Sequence, residues 1–263
     1  MVVNFLKVSY LFPEWSVAES KGWPSTGSGY NHFMEKRKEK LLLSIINEYI
    51  KNAAPVASKM LAGRGGFKIS SATLRNEMAD LEEKGYLVQP HTSAGRIPTE
   101  AGFNFYLANL PEGNLEVAGK EKKELERAAR AVDFPEKNLA KVLAELSEEA
   151  VILAFGKNDV YYTGLSNLFA KPEFHDQNLV YRIGEVVDHL DEIINEIFEE
   201  TKEEIKILIG KKNPFSDSCG AVVSRYRGKN KKTGLVAVLG PIRMDYGKNI
   251  ALVREVKELL NKI

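Results

Sequence analysis

Residues 71–99 read Ser71-Ala-Thr-Leu-Arg-Asn-Glu-Met-Ala-Asp-Leu-Glu-Glu-Lys-Gly-Tyr-Leu-Val-Gln-Pro-His-Thr-Ser-Ala-Gly-Arg-Ile-Pro-Thr99. Leu74, Met78 and Leu81 recur at helical spacing, Ser70 or Ser71 supplies an N-cap oxygen, and Gly85 ends the helix. Tyr86-Leu87-Val88 and Arg96-Ile97-Pro98 then flank a polar stretch at 91–95, the pattern of a two-stranded hairpin with a mobile tip. Downstream, Thr99 opens a helix that presents Phe103, Tyr106 and Leu107. Upstream, Leu42, Ile45, Ile46, Tyr49 and Ile50 form one apolar helix face. Ala53-Ala54-Pro55 stops that helix, a short second helix runs through Met60-Leu61, and Gly63, Gly65 and Gly66 mark a loop. Helix, helix, helix, hairpin is the order of a winged helix-turn-helix, in which the third helix enters a DNA groove.

The charge distribution supports that reading. The 263 residues carry 37 Lys+Arg against 36 Asp+Glu, a net charge of +1, so a polyanion must be met by a local patch. Residues 34–110 carry 11 basic and 8 acidic side chains, and 35–75 carry 9 and 3; residues 111–263 carry 24 and 26. The positive charge gathers on the half expected to meet phosphate. With 44% hydrophobic residues the chain has enough apolar content for a core, and no run reaches the roughly 18–20 apolar residues of a membrane helix, so no membrane contact is expected. A single cysteine, Cys219, forbids an internal disulfide and fits a reducing, cytoplasmic compartment.

Residues 1–33 differ from the rest, holding Trp15, Trp23 and the Gly/Ser stretch at 25–29. They are expected to be a disordered or non-native extension, with Met34 as the functional first residue; an ordered arm is the alternative. Residues 34–110 form the winged-helix DNA-binding domain and 111–150 a charged helical connector broken at Asp133-Phe134-Pro135. Over 151–263, strands are expected at 150–155, 160–163, 205–209, 221–226 and 235–239. A long amphipathic helix is expected over 179–202 and a last helix over 247–262. The fold class is α+β, with the second domain built on an antiparallel sheet.

Candidate DNA-binding residues follow from the geometry. Ala72, Thr73, Arg75 and Asn76 lie away from the Leu74/Met78/Leu81 stripe. Arg can fork onto guanine, Asn can pair with adenine, and Ala or Thr can touch a thymine methyl. Ser71 starts the same helix, and Lys59 and Lys68 flank it, suited to phosphates. The wing residues His91, Thr92, Ser93 and Arg96 suit backbone or minor-groove contact. Asp80, Glu82 and Glu83 would repel phosphate, so the C-terminal half of the helix should point out of the groove.

The 71–99 block, together with Pro55-Val-Ala-Ser-Lys59, resembles the DNA-binding domain of the bacterial heat-inducible repressor family HrcA. Tyr162-Thr-Gly-Leu-Ser-Asn-Leu168, Pro172-Glu-Phe174, Ile209-Gly-Lys-Lys-Asn213 and Gly240-Pro-Ile-Arg-Met-Asp-Tyr246 resemble it further along. The resemblance implies a repressor of chaperone genes that binds an inverted-repeat operator in double-stranded DNA as a homodimer. It also implies a GAF-like dimerisation and regulatory domain over 151–263 and support from the GroEL chaperonin. The family assigns DNA contact to the third helix and wing, here 71–76 and 91–96. The chain departs from the pattern in being short, with about 50 residues between Leu110 and Tyr162. Ala57 stands where a Gly is usual, Phe103-Asn104 where Tyr-Arg is usual, and Lys212 where an acid is usual.

No enzyme chemistry is expected. His32, His91, His175, His189 and Cys219 are scattered without metal-ligand spacing, and no nucleophile stands by a base, so neither metal nor cofactor is expected. Gly63-Arg-Gly-Gly-Phe-Lys-Ile-Ser70 lacks the Gly-Lys-Ser/Thr ending of a phosphate loop. Arg243 and Asp245 are expected either to pair and fix their turn or to contact a second subunit or a chaperone. A small-molecule-responsive winged-helix regulator is the alternative function.

Overall fold

The computed structural model describes residues 35–64, 67, 69–110, 116–156, 159–201, 204–228 and 233–263. The expected N-terminal extension and Lys68 lie outside the described residues. The chain divides into two compact units, Met1–Leu110 and Pro111–Ile263.

In the first unit, α1 (Lys36–Asn52) buries Leu41, Leu42, Ile45 and Ile46 and ends where Ala53 turns left-handed at φ 51°. After α2 (Ser58–Arg64), α3 (Ser71–Glu83) begins at Ser70, whose hydroxyl accepts the Thr73 N–H at 3.1 Å. That cap leaves Leu74, Glu77, Met78 and Leu81 facing inward. Gly85, at φ 77°, reverses the chain into β1 (Leu87–Val88), which pairs antiparallel with β2 (Ile97–Pro98). Arg96 also bridges back to Val56, between α1 and α2, through two backbone hydrogen bonds of 2.9 Å. Thr99 caps α4 (Glu100–Ala108), accepting from the Gly102 N–H and donating to the Gly85 carbonyl. The unit is a winged helix-turn-helix.

The second unit is a GAF-like α+β layer structure. Its five antiparallel strands are β3 (Ala150–Gly156), β4 (Asp159–Thr163), β5 (Lys206–Ile209), β6 (Cys219–Arg227) and β7 (Thr233–Pro241), in the order β4-β3-β7-β6-β5. Alternation sends Ile152, Ala154, Ala221, Val223, Leu235 and Ala237 to one face. There they pack with Leu168 of α7 (Leu165–Phe169), Ile183 of α8 (Gln177–Asp188), and Ile194 and Ile197 of α9 (Leu190–Glu200). Against the sheet's other face lie α10 (Tyr246–Leu260) and α6 (Pro135–Ser147), with α5 (Gly119–Ala129) on these two helices. Residues 116–150, expected as a connector, thus contribute a layer of the second unit, with Leu125, Leu139 and Leu143 fully buried. On α5 and α6 the charged side chains are exposed or half-buried while Leu and Ala positions face inward, so high charge and burial coexist on one helix.

The helix expected over 179–202 is two helices that meet at His189, whose φ and ψ are −111° and 24°. Leu179, Ile183, Leu190, Ile194 and Ile197 stay in one buried stripe through the bend, so the period alone reads as a single helix.

Candidate nucleic-acid interface

The first two turns of α3 expose Ala72, Thr73, Arg75 and Asn76. At 100° per residue, Ala72, Arg75, Asn76 and the exposed Ala79 form one stripe opposite the buried Leu74/Met78/Leu81 row. Ala79 was missed from sequence; as a small residue it lengthens the surface that can approach a groove floor. Thr73 Oγ1 lies 3.0 Å from Ser70 Oγ, so its methyl and hydroxyl are held by the cap. Ser71 is partly buried and its hydroxyl shares a 2.9 Å hydrogen bond with Ser58, which ties the start of α2 to the start of α3. Its role in the structure is to fix the two helices. Lys59 is exposed on α2.

Glu77, Asp80 and Glu82 of α3 each have an intramolecular cation. Glu77, whose side chain is 7% exposed, accepts the Arg37 Nε–H at 2.7 Å. Asp80 takes Lys38 at 2.6 Å and Lys84 at 3.1 Å. Those hydrogen bonds, Lys38 first, hold the Asp80 carboxyl below its ordinary range, and the same bond raises the Lys38 ammonium. Glu82 pairs with Arg96 at 2.8 Å and accepts the Gln89 backbone N–H at 3.0 Å. The phosphate repulsion expected from Asp80 and Glu82 is therefore largely neutralised at source: α1, the wing and the helix's own Lys84 supply the counter-charges.

The wing carries His91, Thr92 and Ser93 exposed at its tip. Gln89 folds the tip into a turn, its amide donating to the carbonyls of Thr92 at 2.9 Å and Ala94 at 3.0 Å. Arg96 sits at the wing's base, with its side chain only 14% exposed and engaged by Glu82 as an ion pair rather than an aligned hydrogen bond. A Cβ at Gly95 would lie 2.3 Å from the Val56 carbonyl oxygen, so only glycine allows this approach of the wing to the turn after α1. The sequence alone did not single out Gln89, and it placed Gly95 in the wing without the close approach to Val56. The polar residue beside a Pro and the glycine before Arg96 were the signals available.

In the second unit the motif residues hold the fold. Arg243 forks onto Glu173, with Nη2 at 3.0 Å from Oε2 and Nε on Oε1. The expected Arg243–Asp245 pair is corrected by this contact: Asp245 instead caps α10, accepting the Lys248 N–H at 3.0 Å. Its short side chain is held at the helix start, while the longer Arg reaches across to the turn after α7. Asn167 donates to the carbonyls of Ala144 and Glu149, and Asn213 donates to the Cys219 carbonyl. Burial pushes the Cys219 thiol up to about 12, which removes it from thiolate chemistry at neutral pH. Ile152, Ile183 and Leu239 help line an apolar cavity of only ≈ 10 Å³, below ligand size.

Comparison with known proteins places the chain. A family model described as the HrcA protein C-terminal domain matches residues 103–250, more than half of the chain. The heat-inducible transcription repressor HrcA of Carboxydothermus hydrogenoformans is 28% identical over 335 aligned positions, covering 88% of this chain and 98% of that protein. The protein of the same name from Natranaerobius thermophilus is also 28% identical, covering 84% and 94%. Since 88% of 263 residues fills far fewer than 335 positions, roughly a hundred positions are occupied in the first relative alone. A crystal structure described as a hypothetical protein superposes with a TM-score of 0.66 at 19% identity, covering 87% of this chain and 99% of that one, and shares the fold. The chain belongs to the HrcA family.

Proposed function

We propose that this protein is a sequence-specific DNA-binding repressor of heat-shock chaperone genes, not an enzyme, acting in the cytoplasm. Residues 34–110 form its DNA-binding domain, with Arg75, Asn76, Ala72 and Thr73 reading bases. Lys59, Lys68 and the wing tip His91-Thr92-Ser93 meet the backbone. The second unit serves dimerisation and regulation, and the GroEL chaperonin supports its activity, as the family resemblance implies. A homodimer suits an inverted-repeat operator because the protein and DNA two-folds coincide.

The observation that carries this reading is the exposed Ala72/Arg75/Asn76 stripe on a helix whose Glu77, Asp80 and Glu82 are all engaged by cations of the same unit. Such a face offers hydrogen-bonding side chains to a groove with little net repulsion. The names of the relatives agree with it. Fluorescence anisotropy of the full chain with labelled inverted-repeat DNA against scrambled DNA, across a salt series, tests it. Preference for the repeat persisting at ~150–200 mM salt is expected, because non-specific phosphate binding falls away there. Equal, steeply salt-sensitive binding to both DNAs, unchanged by added GroEL, would sink the operator reading.

A further inference from the structure

Glu82 lies in the last turn of α3 and meets the wing twice. One carboxylate oxygen, Oε1, accepts the Gln89 backbone N–H at 3.0 Å, where the wing leaves β1. The other, Oε2, lies 2.8 Å from Arg96 Nε, where the wing returns to β2. Gln89 in turn closes the tip through the Thr92 and Ala94 carbonyls, and the Arg96 backbone pairs with Val56. One carboxylate therefore spans both legs of the hairpin and joins them to the recognition helix. The two paired strands of the wing are only two residues each, too few to hold its direction by ladder bonds alone. The neighbouring acid Glu83 is exposed on the same turn of the helix.

We infer that Glu82 is a positioning residue that sets the wing relative to α3, so that this acid strengthens operator binding. The inference rests on the DNA-binding reading above. It predicts a sign opposite to simple electrostatics, since removing an acid from a DNA-facing module should tighten binding if charge alone mattered.

The test measures anisotropy of the full chain with inverted-repeat and scrambled DNA for wild type, Glu82→Ala, Glu82→Gln and Glu83→Ala. Glu82→Ala is expected to weaken binding to the repeat by about tenfold, the scale of one charge-assisted contact, while scrambled DNA binds equally or more tightly. Glu82→Gln should fall between, because its amide oxygen still accepts the Gln89 N–H but the charge facing Arg96 is gone. Glu83→Ala should bind both DNAs at least as well as wild type. Hydrogen exchange supplies a readout without DNA: the Gln89 and Arg96 amides should exchange faster in Glu82→Ala. If that variant fails to fold by circular dichroism, Glu82→Gln carries the comparison. Repeat binding by a folded Glu82 variant as tight as wild type, or unchanged exchange at the wing, overturns the inference alone. Wild type that binds neither DNA overturns the DNA-binding reading, and this inference with it.

Discussion

Arg243 and Glu173, 70 residues apart in the chain, form a forked ion pair that joins the turn before α10 to the 3-10 turn after α7. The Arg243 side chain is 11% exposed and that of Glu173 24%. Two sequence motifs, Pro172-Glu-Phe174 and Gly240-Pro-Ile-Arg-Met-Asp-Tyr246, thereby become one structural feature. Arg243→Met and Glu173→Gln should each destabilise the protein. A double-mutant cycle by urea unfolding should give a coupling of about 1–3 kcal/mol. Additive losses would mean the two side chains act independently.

Beneath that pair lies Glu149, whose Oε1 takes Lys171 Nζ at 3.3 Å while Oε2 is buried without a hydrogen bond. A Cβ at Gly240 would lie 2.6 Å from this carboxylate, so the glycine makes room for it. Burial raises the Glu149 carboxyl to about 7, with Lys171 and then Arg243 opposing the shift. The ordinary value is 4.5, so from there to about 7 the folded protein keeps a proton that the unfolded chain has released. The contribution of Glu149 to stability is thus greatest below the ordinary value, declines as pH rises through that window, and is flat above it. The full span is about 3 kcal/mol, at 1.36 kcal/mol per unit. Glu149→Gln should flatten this part of the pH–stability profile and stabilise the protein above about pH 7. Parallel profiles for the two proteins in urea unfolding would count against the assignment.

Arg75→Ala should weaken operator binding by about 1–3 kcal/mol and relax preference at one base pair, as expected for loss of a bidentate base contact. Anisotropy with single-base-pair variants of the operator checks both effects. Unchanged affinity would remove Arg75 from the interface.

Gly95→Ala forces a Cβ toward the Val56 carbonyl, which already accepts the Arg96 N–H at 2.9 Å. The wing must then move off the turn after α1. A loss of about 1–3 kcal/mol, the usual range for overpacking, should accompany weaker operator binding. A variant with wild-type thermal unfolding and wild-type DNA affinity would show that the wing tolerates displacement.

Most of the elements were legible because their signals are local. The Leu74/Met78/Leu81 stripe, a cap at Ser70 or Ser71, the Gly85 stop and the Thr99 start are all read from neighbours a few residues apart, and the structure uses each, with Ser70 as the cap. The strands expected at 150–155 and 235–239 were legible for the same reason, as short apolar runs, and in the structure they extend over Ala150–Gly156 and Thr233–Pro241. The bend at His189 was not, since its buried stripe continues in phase through it. Of the interface, the outward residues Ala72, Thr73, Arg75 and Asn76 could be placed from a helical wheel, whereas the inward engagement of Ser71 and Arg96 could not.

Periodicity, capping and turn chemistry act over a few residues, and they were enough to establish a winged helix-turn-helix followed by an α+β domain. Pairing between distant charges is a different problem, because 37 cations and 36 anions allow far more combinations than any local pattern can rank. Only the folded chain selects Glu77 for Arg37, Glu82 for Arg96 and Glu173 for Arg243. Packing brings those side chains together, and in the first unit it turns Glu77 and Glu82, acids that count against DNA binding in a charge tally, into struts of the proposed DNA-binding surface.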